Sequence, residues 1–139
     1  MGDVFPLYAA SFNWTHLTYS DRNLNTSEAL ETLLHLAQIG KLKAASRGWL
    51  QQQIKDRKLY NGYTTAGSIS DSGQSAANYA LAAMIFATVN DRANYHRAMA
   101  LVWQDQVTSH VAIQGGIGHA QSGQSYSFNN LTALNAADY

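Results

Sequence analysis

Cysteine is absent from the sequence, which excludes disulfides, thiolate metal sites and a cysteine nucleophile, while leaving the redox compartment undecided. Charge is scarce. Only 13% of the residues are charged, against roughly 25% in ordinary soluble chains, so amides, hydroxyls and tyrosines must supply the surface polarity. Nine basic residues balance nine acidic ones, for a formal net charge of zero, and the chain therefore has no positive field for a nucleic-acid partner or an anionic membrane. Long apolar runs are also missing. The longest, Tyr79 to Ala87, is far short of the roughly 20 residues of a membrane-spanning helix. The opening Met1-Gly2-Asp3-Val4 lacks the basic start and apolar stretch of a signal peptide. What is present is a 139-residue chain, 46% hydrophobic, which has the length of a single domain and the apolar content to fold.

Helical signals dominate. Asn25 is a strong N-cap followed by Glu28, an apolar stripe of Leu30, Leu33, Leu34 and Ala37, and the left-handed stop Gly40, predicting a helix from Thr26 to Ile39. A second, amphipathic helix is expected from Ala44 or Ser46 to Lys58, with Leu50 and Ile54 four apart beside Trp49. Residues Ala76 to Ala87 are apolar almost all round, which marks a helix buried on several sides, with small residues that let neighbours approach closely. Asn90 ends that helix and, with Asp91, caps a fourth, amphipathic one from about Arg92 to Val107. A fifth begins at Ser127, with Phe128, Leu131 and Leu134 in one series and Ala133, Ala136 and Ala137 between them.

The connections alternate in length. Those at Gly40 and Asn90 are short, as in antiparallel helical hairpins, whereas Leu59 to Asp71 and Thr108 to Gln124 are long and rich in glycine, serine and tyrosine. A repeat supports this arrangement, because Ser72-Gly73-Gln74-Ser75 opens the third helix and Ser122-Gly123-Gln124-Ser125 the fifth, fifty residues later. The segment Tyr8 to Trp14 reads as the tail of an earlier inner unit, and the polar run after Leu17 as another loop on the same face. The expected fold is all-α, a single domain over 1–139 built of antiparallel hairpins, each repeat an outer helix, a long loop and an inner helix.

The candidate functional residues lie on those loops. Asp71 stands at the end of a long loop and the start of a buried helix, where a carboxylate can be half-sheltered and oriented for acid/base work, with N-capping as its plainer role. The Ser-Gly-Gln-Ser copies, Gln74 among them, present hydroxyl and amide groups at helix N-termini, where simple capping is again the plainer role. Tyr8, Phe12, Trp14 and Tyr19, then Tyr60 and Tyr63, then Tyr126 and Phe128 place aromatic rings on the polar segments, with amides such as Asn129 beside them. A sugar ring has an apolar C–H face and hydroxyl edges, so aromatic platforms flanked by amides suit a neutral polyhydroxylated ligand. The same rings can instead pin loops to the core. No pair of the five histidines has metal-ligand spacing, so no metal or other cofactor is expected. Gly115-Gly116-Ile117-Gly118 lacks the lysine and hydroxyl of a phosphate loop and reads as a tight exposed turn. No Gly-x-Ser-x-Gly elbow occurs, which speaks against a serine hydrolase.

The segments Leu33 to Ala37, Gln74 to Met84 and Tyr126 to Leu134 resemble the C-terminal part of bacterial glycoside hydrolase family 8-like proteins, including the related family 126. That resemblance implies an (α/α) toroid of six helical hairpins, an α- or β-glucan substrate, and hydrolysis by two carboxyl groups, roughly 6.5–9.5 Å apart if the enzyme inverts. It also implies an extracellular setting if the full-length protein resembles secreted glycosidases. The sequence departs from the family in having five helices where twelve are expected, a last helix without a stop signal, and no counterpart of the family's general acid. Three readings follow. The chain is an incomplete toroid that contributes carbohydrate-facing loops, with Asp71 as one member of the catalytic pair, Tyr8, Phe12, Trp14, Tyr63, Gln74, Tyr126 and Asn129 facing a neutral polysaccharide or oligosaccharide, no activity on its own, and self-association through exposed inner helix faces. The alternatives are a non-enzymatic helical sugar-binding protein and an oligomeric assembly subunit without a small ligand.

Overall fold

The computed structural model describes residues 5–139; Met1–Val4, read above for a leader pattern, lie outside them. The fold is mostly helical, with short antiparallel strands on the connections, and it divides into two compact units between Gln74 and Ser75.

In the first unit, β1 (Phe12–Asn13) and β2 (Thr18–Tyr19) form a hairpin, and β3 (Leu24–Asn25) leads into α1 (Thr26–Gln38). The backbone N–H of Glu28 donates to the Asn25 side chain, as the cap predicted. Gly40 closes α1 with a positive φ of 69°, its N–H donating to Ala37 and that of Lys41 to Leu36, the paired bonds of a Schellman stop. Helix α2 (Ala44–Asp56) ends the same way, but with Arg57 in the left-handed position at φ 56°. One side of α2 is buried through Ser46, Leu50 and Ile54. Strands β4 (Gly62–Tyr63) and β5 (Ile69–Asp71) pair with each other and, through β4, with β3. The Thr26 hydroxyl, fully buried, donates to Tyr60 O at 2.6 Å, and the Ser46 hydroxyl to Pro6 O at 2.6 Å. These bonds tie loop backbone to helix and leave no buried hydroxyl unpaired at either point.

The second unit contains α3 (Ala76–Thr88), α4 (Arg92–Gln104), the hairpin β6 (Gly118–His119) and β7 (Gln124–Ser125), and α5 (Ser127–Ala137). Every residue of α3 from Ala76 to Ala87 is buried, as its all-round apolar pattern requires. Ser75 caps α3 and Asp91 caps α4, each side chain accepting a backbone N–H three residues on. Asn90, at φ 58°, makes the tight turn between them. Helix α4 ends at Gln104, three residues before the expected Val107. The chain there leaves the helix to exchange backbone hydrogen bonds with the glycine-rich loop, Val107 N–H to Gly116 O at 2.9 Å and Gly115 N–H to Val107 O at 2.7 Å. Helix α5 packs its small residues Thr132, Ala133 and Ala136 inward, whereas Phe128, Leu131 and Leu134 are exposed.

Three expectations need correction. The long connections contain hairpins, so the fold is helical with small sheets rather than purely α. Likewise, the Tyr8–Trp14 segment is not the tail of a helix, because Phe12–Asn13 is a strand paired with Thr18–Tyr19. Two-residue strands carry too little alternation to register in sequence periodicity. Gly115-Gly116-Ile117-Gly118 is likewise more than an exposed turn, since Ile117 is buried and Gly118 begins β6.

Candidate functional site

The first unit carries an exposed aromatic cluster. Asn13 sets up the turn of the β1–β2 hairpin, its side-chain oxygen accepting the N–H groups of Thr15 and His16 at 2.9 and 3.1 Å. Ser20 N–H donates to Ser11 O at 2.8 Å and closes the base. Cross-strand pairing places Phe12 opposite Tyr19, with ring centroids 4.9 Å apart, and Trp14 stands edge-on to Phe12 at 4.8 Å. The Trp14 side is open: that residue is 81% exposed and Tyr19 61%. Large rings so uncovered bring no core stability at this place. Tyr19, which the sequence groups with Phe12 and Trp14 on one polar segment, is brought against Phe12 by the hairpin whose turn Asn13 forms.

Asp71 ends β5 opposite Gly62 and is exposed. Its carboxylate accepts the Gly73 N–H at 2.8 Å, while Gly73 O accepts the Asn61 N–H at 2.7 Å. A Cβ at position 73 would lie 2.7 Å from Asn61 Nδ2 and 3.1 Å from Asp71 Oδ1, so a larger residue there would displace the Asn61 amide. Asp71 is thus oriented by its own turn, and the cap of α3 that it was expected to supply comes from Ser75. Gln74 is exposed in the same connection.

Tyr63 occupies a different environment from the open loop face expected for it. It is 4% exposed, its ring sits against Phe5, Trp49 and Tyr60, and its hydroxyl accepts the Tyr60 N–H and donates to Lys58 O. Those contacts pin the loop. Tyr8 is half-buried, with the Lys43 ammonium 5.8 Å from its ring centroid. It borders a cleft of about 40 Å³ together with Asn25, Glu28 and Thr32, space on the scale of a water molecule rather than a sugar ring.

In the second unit, Tyr126 is 59% exposed at the N-cap of α5. The side-chain oxygen of Asn129 accepts the Ala77 N–H at 3.2 Å, which uses it to close the first turn of α3. The neighbouring Asn130 does more than its sequence position suggests. Its amide accepts the Ile117 N–H at 2.8 Å and donates to Ile117 O, Ser125 Oγ and Tyr126 O, locking the β6–β7 hairpin to α5. The two Ser-Gly-Gln-Ser copies accordingly differ in use. Ser75 caps a helix, whereas Ser125, its counterpart, donates to Ile117 O within the hairpin.

Among the described residues, no group of three His, Asp or Glu side chains could hold a metal ion, and no helix is long and apolar enough to cross a membrane.

No protein-family model and no curated protein matches this chain. Among solved structures it is similar to one described as a novel alpha-amylase from Clostridium perfringens, with a TM-score of 0.87 and 24% sequence identity over 96% of this chain. The chain spans 42% of the length of that protein. At this identity the similarity establishes a shared fold, and it does not carry a placement in the C-terminal part of a larger ring.

Proposed function

We propose that this protein is carbohydrate-active and glycoside hydrolase-like, that its helical hairpins form part of an (α/α) toroid, and that its ligand is a neutral glucan-type polysaccharide or oligosaccharide. The observation that carries the reading is the exposed Phe12–Trp14–Tyr19 cluster on a chain that shares the fold of an alpha-amylase. Sugar C–H faces stack on such rings, and amide and hydroxyl groups of the loops in the same unit supply partners for the hydroxyl rim. Asp71 is the candidate for one carboxyl of the hydrolytic pair. As the acid it would donate a proton to the glycosidic oxygen as the C–O bond breaks, while a second carboxylate removes a proton from the attacking water. As the base the roles reverse. With Asp71 alone assigned, the chain is expected to bind glucan without cleaving it.

The test is direct. Starch, glycogen, cellulose and xylan are incubated with the protein and reducing ends are counted, while affinity electrophoresis in gels containing each polymer measures binding. Retardation by one polymer without release of reducing ends is the expected outcome. Turnover that disappears in Asp71→Asn would show a complete site and overturn the inactivity, and the absence of any retardation would overturn the carbohydrate reading.

A second reading concerns assembly. Phe128, Leu131 and Leu134, spaced three apart on α5, are 47%, 65% and 62% exposed, an apolar stripe of the kind that marks interaction surfaces. We infer that it pairs with a second copy of the chain.

A further inference from the structure

The second unit holds a polar cleft that none of the assignments above uses. It opens where α4 ends, with a volume of about 370 Å³, and its walls include Gln104, Asp105, Thr108, Ser109, His119 and Gln121. We propose that this cleft is a separate binding site for a small neutral saccharide, an inference that rests on the carbohydrate reading above and gives it a second locus.

The walls are held by backbone. Gly118 N–H donates to Asp105 O at 3.0 Å, Gln106 and Ile117 form an antiparallel bridge, and the Gln106 amide donates to Gly115 O at 3.0 Å. Gly118 admits no side chain, because a Cβ there would collide with the carbonyl of Gln124 across the hairpin. The cleft is therefore formed before any ligand arrives, and binding need not order the loop.

Its chemistry is selective. The volume falls in the range of small-molecule sites. No lysine or arginine lines it, so an anion finds no counter-charge. One carboxylate with no second acid is too few ligands for a hard divalent cation. What remains is a carboxylate, an imidazole, amides and hydroxyls, the groups that hydrogen-bond vicinal hydroxyls, with Val107 and Ala120 offering a small apolar patch to a sugar's C–H face. Among the described residues, the side chains of Gln104, Asp105, Thr108, Ser109, His119 and Gln121 form no hydrogen bond to one another that would occupy them. Asp105 also stands at the C-terminal end of α4, where the helix dipole disfavours a negative charge.

Amide NMR spectra of the full chain titrated with maltose, and separately with cellobiose, test this. Shifts in residues 104–109 and 118–121 are expected with at least one disaccharide, persisting in Trp14→Ala and weakened about tenfold in Asp105→Ala through loss of charge-assisted hydrogen bonds. His119→Ala should weaken the same shifts. Shifts confined to residues 12–19 overturn the cleft and leave the carbohydrate reading standing, and silence everywhere with both sugars overturns both. Cleft shifts unaltered in both Asp105→Ala and His119→Ala overturn the proposed recognition.

Discussion

Trp14 is a residue at which the proposed ligand contact and the stability of the fold can be separated. A ring that is 81% exposed contributes little to the fold, so Trp14→Ala should change the unfolding free energy by less than about 0.5 kcal/mol. The same substitution removes a stacking surface worth about 0.5–1.5 kcal/mol, and glucan retardation should fall severalfold. Thermal denaturation and affinity electrophoresis on one preparation decide it; a large stability loss would mean that the ring is structural. Arg57 is informative in the opposite sense. Its left-handed φ of 56° costs an L side chain about 1 kcal/mol, and no catalytic role is assigned to it. Arg57→Gly should therefore raise stability by up to about 0.5 kcal/mol in urea unfolding, once the greater freedom of glycine in the unfolded chain is deducted. Both positions show what sequence can convey. The aromatic character of Trp14 was legible, but the strain at Arg57 was not, because arginine is an ordinary helical residue and only the backbone reveals the turn it must make.

At the scale of elements, the helices were legible and the hairpins were not. Asn25, Gly40 and Asp91 are residues whose side chain or lack of one solves a local hydrogen-bonding problem, and each acts where its chemistry suggested. The strands of two and three residues arise from tertiary pairing, such as Gly62 opposite Asp71, and leave no periodic trace. Burial direction was partly hidden too. The large residues of α5 look like a core stripe, yet Thr132, Ala133 and Ala136 are the buried ones, because the small residues permit close packing against α3. For the candidate site, the segments were legible while the partners were not: Tyr63 and Asn129 serve internal contacts that depend on residues 5 and 52 positions away respectively. Asn130 offers the element-scale prediction. Asn130→Ala removes three hydrogen bonds from α5 to Ile117 and Ser125 and a fourth to Tyr126 at the N-cap of α5, and it should cost about 2–3 kcal/mol where the groups left behind are shielded from water. Hydrogen exchange should show the Ile117 amide losing protection ahead of the α3 amides. Equal loss in both would indicate that the hairpin and the helix unfold as one.

The whole molecule combines little charge with exposed apolar surface. A net charge of zero gives no long-range repulsion to keep copies apart, and the α5 stripe gives them something to bury. Sedimentation at micromolar concentration should therefore show association that is little affected by salt, since screening acts only on charge. Leu131→Glu should shift the population to monomer without loss of helix signal, because residue 131 is already 65% exposed. A monomer in the unaltered protein would dispose of the assembly reading.

The hairpins stand apart from the helices that follow them in one further respect. The β1–β2 tip is closed at its base by the Ser20–Ser11 bond and by strand pairing, so lengthening it adds only a slowly growing loop-closure entropy, about 0.6 kcal/mol for each doubling. Helix starts recur at Thr26, Ala76 and Ser127, each immediately after a strand or separated from one by one to four residues. A chain arranged in this way can vary the length and sequence of its tips while the caps and helices stay unchanged. On the proposed reading, a new ligand preference would arise most readily at the β1–β2 tip, whose alteration costs the fold little.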